Sequence, residues 1–202
     1  MTVRVRRRPG RPAGGLQVVD RELVLDAAER IIRRDGAGVS LEAIALEAGV
    51  SKPIVYARVG GRTELANALS SRLADRLIEA ANAAVGSNPA GRVALAAFIE
   101  ANLVTVAAHS ELFLYVTGGS SDDSPHRTLF LAERSTTPMS KQLADWRVEH
   151  GLDPAVALPW AYAVVGMLQL VSLWWITEAD RPAAELAEQL AELLWSGLAQ
   201  AD

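Results

Sequence analysis

The chain has 202 residues, no cysteine and a formal net charge of -4. Without cysteine, disulfides, thiolate metal sites and a cysteine nucleophile are excluded, and this length can bury a core that needs no staple. The charge is unevenly placed: residues 1 to 65 carry 12 Lys/Arg against 8 Asp/Glu, a net of +4, and the remainder carries 8 against 16, a net of -8. Only the front end is therefore expected to meet a polyanion, while the acidic body keeps the chain soluble.

Residues 1–19 are rich in Arg, Pro and Gly and have no apolar period, which predicts a disordered basic arm. They also lack the apolar run and cleavage site of a secretory signal, so a cytoplasmic location is expected. Val24, Leu25, Ala27, Ala28, Ile31 and Ile32 recur at helical spacing within 20–34, and Gly36 and Gly38 stand where that helix would stop. Ser40 is a candidate N-cap for a short helix with Leu41, Ile44 and Ala45 on one side, closed by Gly49. Ser51 is a candidate cap for a third helix reaching Val59, with Pro53 in its first turn, where the missing N–H costs little.

Gly60 and Gly61 break the chain before a longer helix over 62–84, striped by Leu65, Leu69, Leu73, Leu77 and Ile78. Further helices are expected over 90–109, 110–116, 125–150, 154–177 and 182–199, with a loop over 118–124. No segment reads as a strand and no internal repeat is visible. The expected fold class is all-α, with about nine helices divided into the arm, a three-helix domain over 20–66 and a larger helical domain over 67–202.

Two short helices joined by the tight turn Ala48-Gly49-Val50 form the unit that sets its second helix in the DNA major groove. Ala45 is small where the helices cross, Gly49 permits a positive φ, and Val50 and Val55 fill the wedge behind them. This spacing alone also suits an ordinary helical hairpin. On the exposed first turn of the third helix, Lys52 can donate to guanine O6/N7 and Pro53 and Ile54 can touch thymine methyls, with Ala57 facing the same way. Ser40, Ser51, Tyr56, Arg58 and Arg62 are spaced to meet phosphates on either side of the groove.

The run VSLEAIALEAGVSKPIVYARVGGRTEL, from Val39 to Leu65, resembles the DNA-binding domain of the tetracycline-repressor (TetR) family. Gly49, Val50, Ser51, Val55, Tyr56, Arg58, Val59, Arg62, Glu64 and Leu65 fall on its pattern. Arg58 and Arg62 stand where members more often carry His and Lys, and both keep a cationic donor. The resemblance covers about the first third of the chain and implies a sequence-specific DNA-binding regulator. Such proteins are most often repressors that bind double-stranded, pseudo-palindromic operators as homodimers. Arg8 and Arg11, within Arg8-Pro9-Gly10-Arg11-Pro12, resemble the Gly-Arg-Pro core of minor-groove hooks; a nonspecific basic tail is the alternative, and both strengthen binding at low salt.

No charged residue occurs from Ala155 to Thr177, a stretch long enough to cross a bilayer. Its flanks are acidic rather than basic, Asp153 before and Glu178 and Asp180 after, and Pro159 and Gln169 interrupt it. A buried interface helix is the expectation, with no membrane partner. The family resemblance implies that this helix and the last one, with Leu186, Leu190, Leu193, Leu194 and several tryptophans, form a four-helix interface with their copies. It also implies a small-molecule effector in the second domain, coupled to the DNA through the helix over 62–84. Candidate lining residues are Phe98, Asn102, Phe113, Tyr115, Trp146, Gln169 and Trp174, for each of which ordinary core packing is the favoured alternative, and their apolar character suggests a hydrophobic or aromatic effector.

An enzyme and a helical adaptor are the rival classes. The chain has no G-x-S-x-G, no H-E-x-x-H and no phosphate-binding loop, and His109, His126 and His150 lie far apart in sequence. No metal, cofactor or catalytic residue is expected, and an adaptor has no need of Tyr56, Arg58, Arg62 and the arginine arm together.

Overall fold

The structure is a computed structural model and describes residues 20–88, 91–118, 124–178 and 180–199. The arm, with Arg8 and Arg11, lies outside the described residues. Among the described residues the chain is all-helical: α1 (Arg21–Asp35), α2 (Leu41–Glu47), α3 (Lys52–Val59), α4 (Arg62–Gly86), α5 (Arg92–Ala108), α6 (Ser110–Thr117), α7 (Ser124–Glu149), α8 (Ala157–Glu178) and α9 (Ala183–Ala199). A 3-10 turn, Pro154–Val156, precedes α8.

Local chemistry sets these boundaries. The Ser40 hydroxyl accepts from the Ala43 N–H at 3.2 Å and caps α2. Ser51 differs from expectation: its side chain makes no cap bond, and its carbonyl instead receives the Ile54 N–H at 2.9 Å. Gly49 turns the chain between α2 and α3 at φ 67°. Gly60, at φ 78°, ends α3 where a Cβ would lie 2.7 Å from Glu64 Cβ, so both backbone and space require glycine. Glu64 then reaches back to accept from the Gly61 N–H at 2.9 Å, opening α4.

The expected helix over 154–177 begins instead as the 3-10 turn, which Asp153 caps by accepting from the Ala155 N–H at 2.9 Å. The α-helix proper starts at Ala157, which places Pro159 in its first turn and explains how that proline is tolerated. A second proline, Pro138, sits inside α7, where it removes one intrahelical N–H donor.

Two apolar clusters hold the fold together. In the first, Val24, Leu25, Ile32, Ile44, Val55 and Leu65 bind α1 to α4 around the helix-turn-helix, and the same cluster continues through Leu73, Leu77, Phe113, Tyr115 and Leu131 into α6 and α7. The apolar core is thus continuous across residue 66. The second cluster joins α5, α8 and α9 through Ile99, Leu103, Leu168, Leu186 and Ala191. Leu186, Leu190 and Leu194 pack into this cluster within their own chain, which corrects the expectation that they form the outer interface stripe; Leu193 is the leucine of that set left outside, at 65% exposure.

Helix α8 together with its 3-10 turn, Pro154–Glu178, is long and apolar enough to cross a membrane by length and composition. Its Ala157, Ala161, Val165, Leu168 and Ser172 form one stripe at helical spacing that is buried within the chain. The opposite side carries Leu158, Tyr162, Leu170, Leu173 and Trp174 outward, Leu170 being 71% exposed.

Candidate nucleic-acid interface and effector cavity

Helix α3 is built to show one side to solvent. Val55 and Val59 are buried and anchor it to α1 and α4. Pro53, Tyr56, Ala57 and Arg58 are exposed, and Lys52 and Ile54 are half-buried beside them. The structure thus brings the four expected base-contacting residues, Lys52, Pro53, Ile54 and Ala57, together on one short helix whose exposed side also carries Tyr56 and Arg58. Ser40 and Ser51 lie exposed at the starts of α2 and α3, where unpaired backbone N–H groups gather.

Two contacts here were not legible beforehand. The Lys52 ammonium is ion-paired with Glu42 on α2, and it lies 5.8 Å from the centroid of the Tyr56 ring. Through that pair Lys52 holds the Glu42 carboxyl below the ordinary carboxylate range, and Glu42 raises the lysine above its own. The Arg62 guanidinium donates from Nη2 to the Val39 carbonyl at 2.9 Å, so this arginine also ties the start of α4 to the segment before α2. A third tie joins α1 to α2, where Glu47 accepts from Arg30 at 3.2 Å and Arg34 at 3.0 Å.

Behind the helix-turn-helix, Arg72 on α4 faces three carboxylates of α1: Glu22, Asp26 at 2.8 Å and Glu29 at 3.0 Å. Arg76, one turn on, pairs with Glu29 at 2.7 Å. Arg134 of α7 reaches Asp75 of α4 at 3.1 Å. Helix α4 is therefore fixed by charge to the DNA-binding unit on one side and to the body of the chain on the other.

The far half of α4 lines a half-open cavity shared with α5, α6, α7 and α8, with about 80 Å³ free to the centre of a water-sized sphere. Leu77, Ile78, Ala81 and Asn82 are the contributions of α4, and Phe98, Asn102, Phe113 and Gln169 also line the cavity. Tyr115, Trp146 and Trp174 do not, correcting their expected place. Tyr115 is buried in the core around α6. Trp146 is exposed and stacks on His150 with ring centroids 4.4 Å apart. Trp174 is exposed on α8, with the Arg181 guanidinium 6.0 Å from its ring centroid. The expected set omitted Pro138 and Met139 of α7, although the proline inside that helix was visible in the sequence.

One 25-residue helix thus serves both sites: Leu65, Ala66 and Leu69 near its start are core of the helix-turn-helix, and Leu77, Ile78, Ala81 and Asn82 face the cavity. At 1.5 Å per residue it spans about 37 Å. Among the described residues, no group of three or more His, Cys, Asp or Glu side chains could hold a metal ion.

Comparison with known proteins follows the same division. Residues 24–69 match the family model described as bacterial regulatory proteins, tetR family, and residues 80–202 match the model described as Tetracyclin repressor-like, C-terminal domain. An uncharacterised HTH-type transcriptional regulator of Mycobacterium tuberculosis strain H37Rv is 31% identical over 184 residues, which is 90% of this chain and 78% of that protein. Among solved structures, the transcriptional regulator FadR from Bacillus subtilis in complex with stearoyl-CoA superposes with a TM-score of 0.67 at 16% identity, covering 87% of this chain and 98% of that one. The TetR family repressor AlkX from Dietzia sp., implicated in biodegradation of n-alkanes, superposes with a TM-score of 0.59 at 19% identity, covering 95% and 98%. These last two likenesses establish a shared fold.

Proposed function

The chain belongs to the TetR family of DNA-binding transcriptional regulators, and from that premise we propose that it is a homodimeric repressor released from its operator by a small hydrophobic molecule. Lys52, Pro53, Ile54 and Ala57 read base edges from the major groove, while Ser40, Ser51, Tyr56, Arg58 and Arg62 meet phosphates on its flanks. A short recognition helix reaches few base pairs, so two copies read half-sites about one helical turn apart. The outward apolar side of α8, with Leu193 and Trp195 of α9, is the face that a second copy covers. The protein works in the cytoplasm.

The observation that supports release by a ligand is the double duty of α4, which lines the cavity at one end and holds the helix-turn-helix at the other. A ligand that prefers one placement of α4, where DNA prefers another, weakens DNA binding, and DNA weakens ligand binding by the same factor.

The test is to fill the cavity from α4 with Ala81→Phe, a change remote from the DNA. Operator affinity, measured by fluorescence anisotropy on a site recovered by selection, is expected to change several-fold with no change in base preference. Unaltered affinity in a variant that retains its helical content and oligomeric state would contradict the coupling.

A further inference from the structure

The side chains that line the cavity supply polarity without charge. Its polar members are Asn82, Asn102, Ser135, Gln142, Gln169 and Ser172, all neutral amides or hydroxyls, and the rest of the lining is apolar. Two of these pairings matter. In the depth, the Ser172 hydroxyl, 1% exposed, lies 3.4 Å from Asn102 Oδ1, which leaves the Asn102 amide N–H donors for a guest. At the rim, Gln142 Nε2 donates to Asn82 Oδ1 at 3.3 Å, and both residues are exposed.

No charged residue is among those that line the cavity, and the described cations next to the lining have partners elsewhere, although Nη1 of Arg76 is buried without a hydrogen-bond partner. Arg76, next to the lining residue Leu77, pairs with Glu29; Arg134 of α7 pairs with Asp75; Lys141, next to Gln142, pairs with Asp145 at 2.7 Å. A carboxylate or phosphate inside would lose its water with no partner charge in return, which is among the costliest exchanges a binding site can impose. A neutral oxygen loses far less, and Asn102 replaces the lost hydrogen bond.

Resting on the reading of this cavity as the effector site, we infer that its ligand class is the uncharged amphiphile: an apolar body against Leu77, Phe98 and Phe113, and a neutral oxygen acceptor, such as a ketone, ester or hydroxyl, at Asn102. Carboxylates are discriminated against, and so are acyl-CoA thioesters, whose carbonyl is neutral but whose phosphates meet no charged residue in the lining. The class therefore departs from the stearoyl-CoA held by the structurally similar FadR.

Isothermal titration calorimetry of the full chain without DNA tests this, using 2-decanone, 1-decanol, decane, decanoate and decanoyl-CoA at pH 7.5. The two neutral oxygenated probes are expected to bind about tenfold or more tighter than decanoate and decanoyl-CoA. Asn102→Leu should weaken 2-decanone about tenfold while leaving decane unchanged. Gln142→Lys, an exposed change that does not threaten the core, should raise decanoate affinity several-fold. Decanoate or decanoyl-CoA binding as tightly as the ketone, no binding by either neutral oxygenated probe, or a 2-decanone affinity indifferent to Asn102→Leu would each overturn the assignment. Tight binding of 2-decanone that leaves operator binding untouched would uphold the ligand class and remove the effector reading instead.

Discussion

Lys52, at the start of the recognition helix, is ion-paired with Glu42 of the preceding helix, ten residues earlier in the chain. The lysine proposed to read a base thus has a carboxylate partner before DNA arrives, and binding exchanges that carboxylate for a base edge. Glu42→Gln is expected to tighten binding to the selected site several-fold with little change in the dependence of log K on log salt, because Lys52 no longer leaves a carboxylate to meet a base edge and no further phosphate is neutralised. Lys52→Ala is expected to cost about 1 to 3 kcal/mol on the selected site and to relax preference at one base pair. Anisotropy titrations over a salt series check both; a uniform loss across sequences in Lys52→Ala would move that lysine to the phosphates.

Arg58 is exposed beside Tyr56, and its guanidinium suits a phosphate. Arg58→Ala should weaken specific and scrambled duplexes alike and lower the salt slope by about one unit. A slope that stays the same would take Arg58 off the phosphate backbone.

The DNA-binding unit was legible in the sequence because its signals are local. Gly49 at the turn, the Ser40 cap and the buried Val55 all follow from short-range spacing and backbone chemistry. The cavity was legible by half. Phe98, Asn102, Phe113 and Gln169 line it, whereas Tyr115, Trp146 and Trp174 lie elsewhere. Residue type does not disclose direction on a helix such as α8, which is apolar on every side, so its buried stripe, Ala161 to Ser172, is settled only by packing. The ion pairs Lys52–Glu42 and Arg72–Glu22 were invisible for another reason: their partners lie 10 and 50 residues apart, and exposed charges carry no periodic mark of the residue they meet.

Arg72 holds three carboxylates of α1 and is itself mostly covered. Arg72→Met leaves Glu22, Asp26 and Glu29 facing one another with only Arg76, paired with Glu29, and the exposed Arg21, 3.5 Å from Glu22, to offset them. A loss of about 2 kcal/mol in unfolding free energy is expected, between the values typical of exposed and buried pairs. Urea unfolding at fixed protomer concentration measures it, since a dimer's stability depends on concentration. An undiminished midpoint would show that the network contributes nothing to holding α4 on α1.

His109 stands at the junction of α5 and α6, where burial and then the Arg76 guanidinium push its pKa below the ordinary value, Arg33 adding to the effect and Glu29 opposing it. The unfolded chain therefore takes up a proton at a higher pH than the folded one. Stability from this group is complete above about pH 6.5, the ordinary histidine value, and declines as the pH falls below it until the folded imidazole also protonates. His109→Gln should flatten that part of the curve, read from unfolding free energies between pH 7.5 and 5. An identical slope in the variant would assign the acid sensitivity to other groups.

The most direct measurement is selection from a random double-stranded DNA library with the full-length protein, followed by anisotropy on the enriched site against a scrambled duplex. An enriched pseudo-palindrome with half-sites about one helical turn apart, bound by two chains or a multiple of two and losing its base preference in Lys52→Ala, is the expected result. Failure of any motif to enrich at low salt, with equal affinity for enriched pools and scrambled DNA, would contradict a sequence-reading role for α3.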